Sequence, residues 1–141
     1  VKLVDLNVLL YAVDRTCAHH ELARDWLDRT ISSSETVGIP TAVAVGFVRL
    51  TTSPRVMRAP LDVATSVGVV AGWYERANVV APQPTARHFA ILRSLLEPLG
   101  TAGALVADAH LAALAIEHNA ELCSFDRDFQ RFGGVRLVLP G

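Results

Sequence analysis

Cysteine is scarce in this chain: Cys17 and Cys123 are the only two, and they stand in no Cys-x-x-Cys or comparable spacing. That excludes a disulfide-built scaffold and a cysteine-ligated metal centre, and it suits a reducing compartment. Lysine is scarcer still, since Lys2 is the one lysine among 13 basic residues, and the net charge is −1. Bulk electrostatics therefore point to no nucleic-acid partner, and the arginine skew follows as readily from codon bias as from phosphate recognition. There is no glycine-rich phosphate loop and no Gly-x-Ser-x-Gly elbow. Asp5-Leu6-Asn7 lacks the second aspartate that an aspartyl-phosphate phosphatase would use as its acid. The most apolar windows, residues 41–50, 63–74 and 104–116, are too short to span a bilayer. Val1 opens on strand-like sequence without a basic region and apolar core, so a cytoplasmic protein with no membrane association is expected.

What the chain does have is a folding composition, 51% hydrophobic and 19% charged, with no low-complexity tract or linker to divide residues 1–141, so one domain is expected. Short apolar runs predict strands at 2–5, 36–39, 79–81, 121–124 and 135–139. Helical periodicity predicts helices at 7–14, 19–31, 41–52, 63–76, 85–97 and 104–118, with a short one at 129–132. The alternation argues an α/β fold, a mainly parallel sheet with helices on both faces. Asn7, Asp62, Thr85 and Asp128 are the expected helix caps, and Asn119 is an expected left-handed stop. Gly68 and Gly72, four apart, suggest close packing of another backbone.

The run from Ala104 to His118 is apolar almost all round, yet carries Asp108 near its start. A helix of that pattern is buried on most sides, and an ionised carboxylate there costs several kcal/mol, on the order of the penalty per buried ion, unless something answers it. Asp5 and Asp126 each follow a strand-like run, and acids just past the ends of parallel strands converge at one edge of the sheet. Any one of the three is readily a cap or turn residue; together they describe a carboxylate site. Without cysteine or a spaced histidine cluster, such a site selects a hard cation, Mg²⁺ or Mn²⁺, which polarises a phosphoryl oxygen and acidifies a bound water, as phosphodiester hydrolysis requires. Arg49, on an apolar helix near the expected pocket, and Arg55 and Arg58, in the loop SPRVMRAP, are candidate RNA-phosphate contacts. His19 and His20 point apart on a helix and suit a solvated helix start better than a metal.

Four segments resemble the PIN-domain ribonucleases, and within them the VapC-type toxins of toxin–antitoxin pairs. They are VDLNVLLYAVD, FVRLTTSPRV, VADAHLAALAIEHNAEL and SFDRDFQRF, in the family's order and spanning nearly the whole chain. The resemblance implies a five-stranded sheet of order 3-2-1-4-5 and Mg²⁺- or Mn²⁺-dependent endonucleolytic cleavage of RNA, whether tRNA, ribosomal or messenger. Asp5 and Asp108 would be principal metal ligands and Asp126 would complete the site, through water or directly. Asn7 and Ser124 would support them, and Asp128 would be a further acid. A homodimer and a cognate antitoxin that blocks the site are also implied. One departure stands out: Gly46 occupies the position, just before Phe47-Val48-Arg49, where many members carry a glutamate. That loss disfavours a two-metal site, and it sets a non-catalytic RNA- or antitoxin-binding module as the alternative.

Overall fold

The computed structural model describes residues 1–141. Strand β1 (Lys2–Val4) lies at the centre of the sheet. It pairs in parallel with β2 (Val37–Gly38) on one side and β4 (Glu121–Cys123) on the other. Strands β3 (Val79–Val80) and β5 (Arg136–Val138) form the edges, giving the order β3-β2-β1-β4-β5, all parallel. The chain therefore winds outward from β1, then returns to β4, and the order reverses between these two strands, where α/β sheets open a crevice past their carboxyl ends.

Helices α1 (Leu6–Val13) and α2 (His20–Ile31) connect β1 to β2, while α3 (Thr41–Thr51) and α4 (Val63–Tyr74) connect β2 to β3. Helices α5 (His88–Leu96) and α6 (Val106–Glu117) return the chain to β4. Helix α1 packs against α2 and α3, and α5 against α6. None of the helices is long and apolar enough to cross a membrane.

The core forms where sheet and helices meet. Leu3, Val4, Val37 and Leu122 of the strands are fully buried, as are Val8 and Leu9 of α1, Phe47 of α3 and Phe129 near the end of the chain. Phe47 meets Trp73 edge-on, with ring centroids 5.0 Å apart, which fastens α4 to α3. Cys123 is buried in β4, and burial pushes its thiol up to about 12, so it is an inert packing residue.

Several local expectations are corrected. Asp5, not Asn7, caps α1: its carboxylate accepts from the Leu6 N–H, and Asn7 lies inside the helix. Helix α5 begins at His88, and Thr85 instead meets Glu117 of α6. Asp126 rather than Asp128 caps the short 3-10 helix Arg127–Arg131, accepting from the Asp128 N–H at 2.8 Å. Gly68 and Gly72 approach nothing, since a Cβ at either would meet open space; α4 presents them to solvent. Helix α6 is buried only from Ala109 onward, and its first turn, with Val106 and Ala107, is exposed. Asn119 does stop α6 in the left-handed region, φ +50°, and the Ala120 N–H reaches back to the Ala115 carbonyl.

Candidate active site

The register of β1 on β4 builds the site. Val4 pairs with Cys123, so the next residues on each strand, Asp5 and Ser124, leave the sheet side by side, and the Asp5 N–H still donates to the Cys123 carbonyl at 2.9 Å. The fully buried Ser124 hydroxyl donates to Asp5 Oδ2 at 2.7 Å. It accepts in turn from Asn7 Nδ2 at 3.1 Å and from the Asp126 N–H at 2.9 Å. Asn7 Oδ1 accepts from the Phe125 N–H at 3.2 Å. Asn7 is thus a brace between α1 and the segment after β4, and it fixes the hydroxyl that fixes Asp5.

Asp5 and Asp108 line one cleft of about 270 Å³ between α3 and α6, together with Gly46, Arg49 and His110. Burial raises the Asp5 carboxyl above the usual carboxylate range; the bonds from Ser124 and Leu6 offset this in part, while the charges of Asp108 and Asp126 raise it further. Asp108 is also raised, by burial and by Asp126, with Arg131 opposing. No lysine or arginine forms an ion pair with Asp5, Asp108 or Asp126. Three carboxylates close enough to disturb one another, two of them in one cleft, leave a negative charge for a cation to answer. No set of three or more His, Cys, Asp or Glu side chains is gathered closely enough to cage a metal by protein ligands alone. The donor set fits a hard dication that takes one or two carboxylates and keeps its remaining ligands as water.

The other expected site residues divide. Arg49 borders the cleft, whereas Arg55 and Arg58 are exposed on their loop and do not line it. Asp128 is exposed, pairs with Arg131 at 3.4 Å and points its charge at Asp108 only from a distance. Gly46 leaves the cleft wall bare, and a Cβ there would meet Leu6 Cδ2 at 3.0 Å.

One network was not expected. Glu117, its side chain fully buried, accepts from the Thr85 N–H at 3.0 Å, from the Thr85 hydroxyl at 2.6 Å and from His88 Nδ1 at 2.5 Å. His88 Nε2 lies 2.9 Å from Nδ1 of His110, which lines the cleft. Burial works against ionisation of Glu117, but the Thr85 and His88 bonds outweigh it and hold the carboxyl below its ordinary range. Burial and the neighbouring His88 push the His110 imidazole down. The signal was present in the sequence: an acid at position 117 on the apolar side of α6 needs donors for the same reason as Asp108.

The PIN domain family model matches residues 2–135. Ribonuclease VapC37 of Mycobacterium tuberculosis is 45% identical over 140 residues, covering 99% of this chain and 97% of that one. Ribonuclease VapC33 of the same species is 38% identical over 136 residues, covering 96% and 95%. Among solved structures, VapBC2 from Rickettsia felis bound to a DNA fragment from its promoter superposes with a TM-score of 0.69 at 16% identity, covering 98% of this chain and 97% of that one. Mycobacterium tuberculosis VapC20, described as a sarcin–ricin-loop cleaving toxin, gives 0.64 at 18% identity, covering 96% and 99%. At those identities the superpositions show a shared fold.

Proposed function

The chain belongs to the PIN-domain family, and within it to the VapC type, and from that premise we propose that it is the toxin of a toxin–antitoxin pair, an endoribonuclease dependent on Mg²⁺ or Mn²⁺. The single observation that carries the reading is the unneutralised pair Asp5 and Asp108 in one cleft, with Asp126 near enough to raise the pKa of both. Asp5 and Asp108 would hold the cation, and Asp126 would act through one of its waters. A dication held there supplies Lewis-acid polarisation of a phosphoryl oxygen and a more acidic water. The chain's own part is positional. The Ser124 hydroxyl, itself held by Asn7, and the Leu6 N–H are the two donors that fix the Asp5 carboxylate, and Arg49 at the rim offers a guanidinium to an RNA phosphate. A cognate antitoxin that occupies the cleft, and a homodimer, belong to the same reading; the VapBC complex among the superposed structures supports an antitoxin partner.

A non-catalytic RNA- or antitoxin-binding module is the competing reading. It is favoured by Gly46 in place of a carboxylate and by the lack of a three-ligand cage. Incubation of total cellular RNA with the purified, antitoxin-free protein separates the two. Discrete fragments that require Mg²⁺ or Mn²⁺ and vanish in Asp5→Asn and Asp108→Asn support the toxin ribonuclease. RNA binding without any metal-dependent cut would select the binding module.

A further inference from the structure

Outside the lining of the α3/α6 cleft, three rings form a shelf. Phe125 sits between Ser124 and Asp126. The His19 ring stacks on it with centroids 4.9 Å apart at 23°, and Tyr11 of α1 closes the group, 5.8 Å from His19 and 5.4 Å from Phe125. His19 is exposed, its ring makes no hydrogen bond, and it gives α2 no side-chain cap. Tyr11 packs on Phe125, whose chain neighbours Ser124 and Asp126 belong to the acidic site, so the shelf adjoins that site. Next to the shelf, a second cleft between α1 and α2 is lined by Ala12, Val13, Arg15, His20 and Arg24. Arg24 is held by Asp25, while Arg15 is exposed and unpaired.

We propose that this shelf and cleft are a track for single-stranded RNA, in which an unpaired base beside the scissile phosphate stacks on His19 and the adjoining phosphate is met by Arg15. The proposal rests on the ribonuclease reading above. An exposed ring backed by a second ring gives a base a flat, rigid partner, and an adjacent unpaired cation follows the backbone; together these are the two parts of single-strand recognition. Stacking demands that the nucleotide be free of a duplex, so the track selects loops, bulges and ends. An apolar peptide finds little there, because the apolar groove of this molecule is elsewhere, along Val45, Val48, Val67 and Val70 of α3 and α4.

The test is a short RNA carrying one 2-aminopurine, presented single-stranded or annealed to its complement, to the parent, His19→Ala, His19→Trp and Arg15→Ala. Binding is read by fluorescence in chelator and cleavage in Mn²⁺. The parent is expected to quench the single-stranded probe. His19→Ala should weaken binding about tenfold, the size of one base–aromatic stack, and abolish the quench at saturation. It should raise KM with little change in kcat, and His19→Trp should restore both. Arg15→Ala should weaken binding but keep the saturated quench, and the annealed RNA should not distinguish parent from His19→Ala. Quenching without cleavage would overturn the ribonuclease reading and leave the track standing. Cleavage with no dependence on His19, or no binding of single-stranded RNA, would overturn the track.

Discussion

The Ser124 hydroxyl donates its only proton to Asp5 Oδ2 at 2.7 Å while it accepts from Asn7 and from the Asp126 N–H, so one buried oxygen ties the ends of β1 and β4 and the start of α1 together. Ser124→Ala removes three bonds and leaves two donors facing each other. Unfolding in urea should show a loss of about 1–3 kcal/mol, the cost of buried unsatisfied groups. Cleavage should fall further than stability alone accounts for, because Asp5 loses the donor that holds its ionised form.

Asp5 is costly to the free protein. Its carboxyl is raised in the folded state, so the destabilisation by its charge is absent below its unfolded value and complete above its folded value. In chelator, the parent should therefore weaken as pH rises through that raised value, and Asp5→Asn should melt higher by roughly 2–4 °C, as about 1 kcal/mol does for a domain of this size. Added Mn²⁺ should stabilise the parent and not the variant, which a melting series with and without metal reads directly.

Gly46→Glu should restore a third carboxylate to the cleft. The close contact is with the tip of Leu6, a flexible side chain that can move by a few tenths of an ångström, and the helix gains by losing an interior glycine. Calorimetry should show tighter Mn²⁺ binding than in the parent, and in chelator the third charge should oppose the helix gain.

Glu117 should dominate the acid stability of the α5–α6 pair. Its pKa is lowered in the folded state, so its contribution is present above the unfolded value of about 4.3 and is lost as pH falls through the folded value. Glu117→Ala leaves the Thr85 donors and His88 Nδ1 without their buried partner and should cost about 1–3 kcal/mol near neutral pH. Glu117→Gln should cost less and flatten the acid limb of stability against pH, measured by denaturant unfolding from pH 3 to 7.

The strands and most helices are legible because their signals are local: short apolar runs between turn residues, and a 3.6-residue stripe in α2. The caps at Asp62 and Asn119 are legible for the same reason. The strand order is not, since nothing in a two-residue strand such as β2 or β3 names its neighbour; that came from the resemblance. Among the site residues, Asp5 and Asp108 are legible as acids out of place, and the structure brings them to one cleft. Asn7 has the sequence signature of a cap because Asn beside a helix start usually is one; only the register of β1 on β4 shows that its partner is Ser124, far along the chain. The apolar run marks Asp108 as the buried acid of α6, yet the first turn of that helix is open and its acid with no exposed side-chain surface is Glu117. Sequence marks a helix as apolar but not which end of it the fold covers. The shelf of Tyr11, His19 and Phe125 is invisible for the related reason that its rings come from three separate segments.

The most direct measurement is a Mn²⁺ titration followed in parallel by metal binding and by RNA cleavage, for the parent, Asp5→Asn and Asp108→Asn. The account predicts that cleavage rises in step with occupancy of a site which neither variant forms, and that chelator abolishes it. Cleavage that persists in chelator, or Mn²⁺ bound equally well by both variants, would contradict it.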